Sequence, residues 1–275
     1  AVEALSNLVA VGGNYREAWL IDNFIWPFPD EESLGELDLS VDACVDIMHA
    51  FKIPFISGKD SLSGTYRGRQ NGKDVVIKIP PVLCVSAFGK IPDVRKTVSA
   101  AFKKPGSVII LLGEMDFSAM GGSAYYQIHD IKGGRVPKVN LNLQPKIFDC
   151  LHRLITEGKI LAAHDISDGG VAAALAEMCF GNGLGANIDF NKMPNEIPLE
   201  SFLFNETPGC FLLEVDEKLF NSFDELFGNV PCVIIGRVDG NKLNINRSTY
   251  NLSLTYGVDK LKEDWKKPMK EVFCD

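Results

Sequence analysis

Short apolar runs alternate along the chain with segments in which apolar residues recur at helical spacing. The apolar runs predict strands at 18–21, 53–56, 75–79, 82–88, 108–112, 160–163, 210–215, 232–235 and 243–245. Helices are predicted at 1–11, 147–155 and 219–227, and one face of a further helix is formed by Val41, Cys44, Val45 and Met48, with Asp38 and Ser40 as its start signal. Because strands and helices interleave, the sequence predicts an α/β or mixed α+β fold.

Proline, glycine and lysine residues interrupt this pattern between Gly89 and Gly106. We therefore expect a boundary there, with one domain at 1–95 and a second at 96–275. A chain of 275 residues is long enough for two modest domains. The first helix starts abruptly at Ala1, without a capping residue or a preceding strand, which predicts that the numbered chain opens inside a domain.

Residues 161–180 carry the most specific chemical signal. A buried strand ends here in the turn 165–170, and helical apolar spacing starts at Val171. Free backbone N–H groups and the helix dipole attract anions to such a helix N-terminus, and carboxylates beside a phosphate supply oxygen ligands for Mg²⁺. In the alternative interpretation, Ser167 or Asp168 only caps the helix and the glycines serve packing.

Three other segments are candidates for binding chemistry. The sequence SGKDS at 57–61 follows a predicted strand, and Lys59 offers a positive charge for phosphate; a hairpin turn is the alternative. Glu3 and Asn7 lie one helical turn apart and offer oxygen ligands for Mg²⁺, or else form only a solvated polar face. The sequence NETPG at 205–209 predicts a turn before a strand.

The composition narrows the function classes. The formal net charge of −8 and the pI near 5.1 argue against nucleic-acid binding and against attachment to anionic membranes. The sequence shows no apolar stretch of membrane-spanning length and no signal peptide, so we expect a cytoplasmic protein.

Neither the cysteines nor the histidines indicate a metal site. The seven cysteines are scattered, mostly in apolar runs and never in CxxC spacing, which predicts buried small hydrophobic residues. Of the four histidines, His164 lies beside Asp165 in the sequence, and we interpret it as a structural histidine.

The order of these segments resembles one protein family. The chain carries a helix reading AVEALSNLVAVGG, an acidic turn at Asp22-Asn23, the SGKDS turn, a GGS turn at 121–123, and the sequences HDISDGGVAAALAEM and FNETPGCFLLEV. Over nearly its whole length it is similar to the phosphoribosylformylglycinamidine synthase branch of the ATP-binding superfamily that also includes aminoimidazole ribonucleotide synthetase. The resemblance implies an N-terminal subdomain that helps to form a central barrel and a C-terminal α/β subdomain. Synthase subunits contain two such units in tandem, and this chain resembles the second.

The resemblance also implies which residues bind magnesium and nucleotide. Glu3, Asn7 and Asp165 correspond to magnesium positions of long family members, and Ser167 corresponds to a serine that contacts nucleotide. The implied ligands are therefore Mg²⁺ and ATP, without a covalent nucleophile.

A second set of residues corresponds to positions that bind ATP and substrate in short family members, namely Asp22, Gly58 and Ser61. The chain departs from the family at Lys59, where short members have an asparagine that binds magnesium. An ammonium group cannot bind a cation, so a phosphate contact is expected for Lys59. The two sets are expected to serve different pockets, one catalytic and one holding a structural nucleotide.

The implied reaction converts formylglycinamide ribonucleotide, ATP and ammonia to formylglycinamidine ribonucleotide, ADP and phosphate. The resemblance implies the first synthetase unit and a glutaminase domain or subunit as partners. None of the cysteines of this chain lies in a glutaminase-like context, so that activity is expected elsewhere. Alone, the chain is expected to be catalytically incomplete and to self-associate through uncovered strand edges.

Other functions are open on sequence. Aminoimidazole ribonucleotide synthetase, thiamine monophosphate kinase, selenophosphate synthetase and the hydrogenase maturation dehydratase share a similar outline, and a non-catalytic nucleotide-binding scaffold is the alternative from another class. The sequences SGKDS and NETPG favour the synthase.

Overall fold

The computed structural model describes residues 1–193, 196–248 and 252–273. The chain divides into two compact units, one of residues 1–8 and 14–90 and the other of residues 9–13 and 91–275. Strands and helices interleave along the chain, so the predicted α/β or mixed α+β class is confirmed. The assignment of 1–95 and 96–275 as the domains of a barrel-forming fold stays a prediction.

The first unit is built around a small sheet. Its elements are α1 (Val2–Ala10, the last two residues belonging to the other unit), β1 (Ala18–Ile25), α2 (Glu31–Phe51), β2 (Phe55–Ser61), β3 (Thr65–Gln70), β4 (Lys73–Lys78) and β5 (Val82–Gly89). The three-stranded sheet has the order β2-β1-β5, in which β1 pairs parallel with β2 and antiparallel with β5. β3 and β4 form a separate antiparallel hairpin.

Helix α2 begins earlier than its apolar face predicted. The Asp30 side chain accepts a hydrogen bond from the Ser33 backbone N–H (3.0 Å), and the Ser33 hydroxyl accepts one from the Asp30 N–H (2.9 Å). This reciprocal capping box fixes the helix start. The predicted start signal at Asp38 and Ser40 is therefore wrong, because both residues lie inside the helix.

Two segments predicted as turns are strand instead. β1 continues through Asp22 and Asn23, and β2 contains the whole SGKDS sequence at 57–61. In the parallel ladder Asp22 pairs with Gly58, and Asn23 pairs with Lys59. The polar residues therefore lie side by side on paired strands. The turn predicted at 57–61 and its hairpin alternative are wrong, whereas binding by these residues stays a prediction.

The second unit contains a mixed sheet. Its elements are β6 (Val108–Leu112), α3 (Ala124–Ile128), α4 (Gln144–Thr156), β7 (Ile160–Asp165), α5 (Gly170–Phe180), β8 (Ala186–Asp189), α6 (Leu199–Phe204), β9 (Phe211–Val215), α7 (Phe223–Phe227), β10 (Cys232–Val238), β11 (Lys242–Arg247), β12 (Leu252–Gly257) and α8 (Val258–Phe273). The seven-stranded sheet has the order β12-β11-β8-β10-β6-β9-β7. β11 and β8 pair in parallel, and the other neighbours pair antiparallel.

Helices α4 and α5 cover opposite faces of this sheet. Phe211 of β9 packs edge-on against Phe148 of α4, with ring centroids 5.9 Å apart. The next residue, Leu212, belongs to the core cluster that contains Val171 and Leu175 of α5. Because successive strand residues point to opposite faces, β9 is apolar on both sides, which explains its continuous apolar run.

The remaining differences concern short or amphipathic elements. The helix predicted at 219–227 is a 3-10 turn, Glu217–Ser222, followed by the short α7. β3, β8, β12, α6 and α8 were not predicted. Of the helices that the structure describes, none combines the length and the apolar character needed to cross a membrane.

Candidate functional site

The turn between β7 and α5 lies where the change in apolar spacing predicted it. β7 ends at Asp165 and α5 begins at Gly170. Gly169 is the N-cap residue with a φ of 79°, a left-handed conformation that favours glycine, and no side chain of the turn caps the helix. Capping by Ser167 or Asp168 is therefore wrong; Ser167 is half-buried and Asp168 is exposed.

A carboxylate from a distant segment satisfies this turn instead. Oε1 of Glu206 accepts hydrogen bonds from the backbone N–H of Gly169 (2.7 Å) and from that of Ala124 (2.8 Å). Ala124 is the first residue of α3 and directly follows the GGS turn. One carboxylate thus joins the two glycine-containing turns. The sequence predicted only a turn at 205–209, and the acidic residue within it was the signal for this contact.

Gly170 is required by packing. Its φ is +66°, and an added Cβ would lie 2.8 Å from the carbonyl oxygen of Leu203 and 2.7 Å from that of Asn205. Its N–H donates to the carbonyl of Ser167 (2.9 Å). The packing interpretation of this glycine is therefore supported, and the N–H groups of Gly169 and Gly170 are already used within the protein.

His164 contacts acceptors through both ring nitrogens. Nδ1 lies 2.7 Å from the backbone oxygen of Asp165 and 3.4 Å from its Oδ1, and Nε2 lies 3.0 Å from Oε2 of Glu177. Burial disfavours the charged ring, but hydrogen bonds to Asp165 and Glu177 outweigh burial and raise the pKa of His164 to about 9. The ring is therefore a cation at neutral pH, and both of its nitrogens have acceptors within the protein, which agrees with the interpretation of His164 as a satisfied histidine.

The Asp165 carboxylate has the chemistry of a magnesium ligand. Its side chain is only 10% exposed, and His164 is the polar side chain that the described part of the chain places against it. Within the described residues, no group of three or more His, Cys, Asp or Glu is placed to hold a metal ion. Mg²⁺ commonly takes one or two carboxylates and completes its shell with phosphate and water oxygens. Asp165 can therefore supply one carboxylate to a magnesium ion that binds together with a nucleotide, and this role stays a prediction.

Helix α1 presents Glu3 and Asn7 on an exposed face. Val2, Leu5 and Val9 are buried on the opposite side of the helix. The predicted common orientation of Glu3 and Asn7 follows from this burial pattern. Both residues belong to the first unit, whereas Asp165 belongs to the second. Their role as metal ligands stays a prediction.

The four other predicted site residues all lie on β1 and β2. An added Cβ at Gly58 would collide with the Asp22 carboxylate, so the absent side chain leaves the space that this carboxylate occupies. Nζ of Lys59 donates to the Ser61 hydroxyl (2.5 Å) and to Oδ1 of Asn23 (3.4 Å).

These residues divide between the two faces of the sheet. Side chains alternate along a strand, so Lys59 and Ser61 share one face with Asn23 while Asp22 lies with Gly58 on the other. A single ligand on one face can reach Lys59 and Ser61 together. The structure therefore brings Asp22 and Lys59 to neighbouring strands but not to one surface.

The cysteine prediction holds for most of the described positions. Cys44, Cys150, Cys179 and Cys210 are buried and Cys232 is partly buried, all as free thiols. Cys84 is exposed, contrary to the prediction, because it lies on the outward face of β5. Cys274 lies outside the described residues.

Comparison with known families assigns the second unit. Residues 104–246 match the family model of the AIR synthase related protein, C-terminal domain. The matched segment is more than half of the chain and includes the β7–α5 turn and Glu206. The chain belongs to this family.

Curated relatives extend the match to the whole chain. The phosphoribosylformylglycinamidine synthase subunit PurL of Deinococcus radiodurans is 30% identical over 279 residues, which cover 98% of this chain and 36% of that protein. The same subunit of Methanosarcina barkeri is 33% identical over 229 residues, which cover 82% of this chain and 30% of that protein. The resemblance found in the sequence is thus confirmed, and the chain spans about a third of the length of these relatives.

Solved structures confirm the fold. PurL of T. maritima complexed with FGAR superposes with a TM-score of 0.71 at 15% identity, covering 93% of this chain and 40% of that chain. E. coli HypE, a hydrogenase maturation protein, superposes with a TM-score of 0.68 at 15% identity, covering 94% of this chain and 77% of that chain. At this level of identity, the likeness concerns the fold alone.

Proposed function

We propose that this chain is part of an ATP-dependent carbon–nitrogen ligase that makes formylglycinamidine ribonucleotide. In this reaction the amide oxygen of formylglycinamide ribonucleotide is phosphorylated by ATP, and ammonia then displaces the phosphate. The products are the amidine, ADP and inorganic phosphate, so atoms and charge balance without a redox partner. The ammonia would come from a glutaminase domain or subunit in the cytoplasm.

The observation that carries this proposal is the match of nearly the whole chain to synthase subunits, together with the buried Asp165 at the β7–α5 turn. The Asp165 side chain is only 10% exposed and ends β7 beside the start of α5, so its carboxylate is held at the turn where a magnesium–nucleotide complex would bind. Ser167 follows two residues later in the same turn, half-buried, and offers a hydroxyl to the same ligand.

In this proposal Asp165 binds the magnesium of a magnesium–nucleotide complex, and Ser167 contacts the nucleotide. Glu3 and Asn7, on the first unit, are proposed as oxygen ligands for magnesium. Magnesium would neutralise phosphate charge when bound. The protein itself contributes positioning: Glu206 fixes the two glycine-containing turns, and His164 holds Asp165.

On the sheet of the first unit, Lys59 and Ser61 are the residues proposed to contact a phosphate of ATP or of the ribonucleotide substrate. The ammonium group and the hydroxyl lie 2.5 Å apart on an exposed face, so one phosphate can contact both. Asp22 and Gly58 would act from the other face, which supports two separate binding surfaces.

The binding step is tested by calorimetry with magnesium–ADP. Asp165→Ala should weaken binding about tenfold or more, which is about 1.4 kcal/mol, because a charged ligand of the phosphate-bound metal is lost. Asp264→Asn is the matched control, since it removes an exposed carboxylate of α8 that pairs with Lys260. Equal affinity for wild type and Asp165→Ala would overturn the proposed site.

The substrate is tested with formylglycinamide ribonucleotide in the same calorimeter. If the wild-type chain binds this ribonucleotide and Lys59→Met weakens that binding, the synthase assignment is supported. Binding of magnesium–ADP without any affinity for the ribonucleotide would instead favour a nucleotide-binding scaffold.

A further inference from the structure

A chain of hydrogen bonds connects helix α8 to Asp165. Nε1 of Trp265 on α8 donates to Oε1 of Glu177 on α5 (3.1 Å). The other oxygen of Glu177, Oε2, lies 3.0 Å from Nε2 of His164 on β7, and Nδ1 of His164 lies 2.7 Å from the backbone oxygen of Asp165. The consecutive elements β7 and α5 thus meet the distant helix α8 behind the carboxylate at the end of β7.

The acceptors in this chain determine where the protons lie. A carbonyl oxygen and a carboxylate oxygen can only accept hydrogen bonds, so both ring nitrogens of His164 donate. His164 is therefore an imidazolium with a fixed ring plane, held from one side by Glu177 and from the other by Asp165. Nδ1 also lies 3.4 Å from Oδ1 of Asp165, so the ring orients the Asp165 carboxylate as well as its backbone.

We propose that His164 and Glu177 are positioning residues for the cation bound at Asp165, and that Trp265 holds Glu177 in place. This inference rests on the proposed function of Asp165 as a magnesium ligand. Carboxylates that bind metals are commonly oriented by hydrogen bonds from residues that do not touch the metal, and loss of such a residue typically weakens the metal about 10- to 100-fold.

Glu177 has a second effect, through its charge. The cationic ring of His164 lies beside Asp165 and by itself repels a metal ion, whereas Glu177 offsets that charge from the other side of the ring. The Glu177 side chain is 37% exposed and the His164 side chain 19% exposed, so solvent only partly screens the pair. The two residues therefore have the same effect on orientation but opposite effects on the local charge.

Because their charges are opposite, substitutions of His164 and Glu177 distinguish a positioning role from a purely electrostatic one. If charge alone matters, Glu177→Gln weakens the cation site while His164→Gln, which removes a positive charge, strengthens it. If positioning dominates, both substitutions weaken it. We expect both Glu177→Gln and His164→Gln to weaken magnesium-dependent binding of ADP about tenfold.

The experiment is calorimetry of the protein with ADP in the presence of Mg²⁺ and again with EDTA. A positioning role changes the affinity measured with Mg²⁺ and leaves the affinity measured with EDTA unaltered. A merely structural role would change both or neither. Mn²⁺ titration followed by electron paramagnetic resonance, with ADP present, gives the metal affinity directly and should report the same loss.

Trp265→Phe and Asp264→Asn are neighbouring substitutions on α8 with different expected results. The Trp265 ring packs against Phe180, with centroids 5.7 Å apart. Trp265→Phe retains an aromatic ring there but removes the N–H donor to Glu177, so it should weaken magnesium-dependent binding less than Glu177→Gln does. Asp264→Asn should bind as wild type does. Circular dichroism checks that each variant is folded.

The outcomes distinguish this inference from the proposed function. If Asp165→Ala binds magnesium–ADP as tightly as wild type, the proposed function fails. If Asp165→Ala loses affinity while folded His164→Gln binds as tightly as wild type or more tightly, the positioning inference alone is overturned.

Discussion

The charge on His164 makes folding of the second unit depend on pH. Its pKa is about 9 in the folded chain, above the ordinary value of 6.5, because the hydrogen bonds to Asp165 and Glu177 outweigh burial. A group whose pKa is raised by folding stabilises the folded state in its protonated form. This contribution is complete below pH 6.5, declines as the pH rises, and is lost above about pH 9.

The size of the effect follows from the difference between the two pKa values. Each unit of difference between the folded and the unfolded pKa contributes about 1.4 kcal/mol. The contribution of His164 to the free energy of unfolding is therefore roughly 3 kcal/mol at most. Because Glu177 is partly exposed, solvent screening reduces this, and we expect about 1 to 2 kcal/mol. Urea denaturation at pH 6 and pH 9, with EDTA present, measures the loss.

The His164→Gln variant removes this titration. Its free energy of unfolding should lie below that of wild type at pH 6, and the difference should shrink towards pH 9. His49→Gln, at an exposed position on α2, is the matched control and should keep the pH dependence of wild type. An identical fall in stability for wild type and His164→Gln would refute the assignment of the positive charge to this ring.

Three further predictions concern other parts of the chain. Lys59→Met should keep the free energy of unfolding within about 0.5 kcal/mol of wild type, since the side chain is exposed. The same substitution should raise the dissociation constant for a phosphate ligand in calorimetry. A large loss of stability with unaltered binding would contradict this. Glu214→Ala should cost roughly 3 kcal/mol in urea denaturation, because this fully buried carboxylate accepts hydrogen bonds from the backbone N–H of Lys103 (2.7 Å) and of Lys104 (2.8 Å), which would lose their partner. In native protein a thiol reagent should modify Cys84 first, because it is exposed while Cys210 is buried, and mass spectrometry that finds Cys210 modified first would be inconsistent with the fold.

The sequence predicted the second unit better than the first, for a physical reason. β6 and β9 are buried on both faces, so each is a continuous apolar run that is visible in the sequence. β2 is largely exposed, and its polar SGKDS residues read as a turn although the backbone is extended and paired with β1. Pairing with a distant strand stabilises such a segment, and local sequence does not report that partner.

The same distinction applies to the candidate site. The β7–α5 turn was found because its signal, a strand followed by acidic residues and glycine, lies within a few consecutive positions. Glu206 was missed because its two hydrogen-bond donors, Gly169 and Ala124, are 37 and 82 residues away in sequence. Likewise His164 was assigned a structural role without its partner, since Glu177 reaches it through the packing of α5, and Trp265 of α8 contacts Glu177 in turn.

Glu206 changes how the β7–α5 turn can bind a nucleotide. A helix start with free N–H groups attracts phosphate directly, which was the expectation from sequence. Here the Glu206 carboxylate accepts a hydrogen bond from the N–H of Gly169, and the N–H of Gly170 donates to the carbonyl oxygen of Ser167. A phosphate would have to displace a carboxylate that also holds Ala124, and the two anions would repel each other. Because these two amides are engaged, binding through a cation at Asp165 is favoured over direct phosphate contact with them. Strong dependence on Mg²⁺ is the consequence, and ADP that binds equally well with EDTA would show that the amides of the turn, and not Asp165, hold the phosphate.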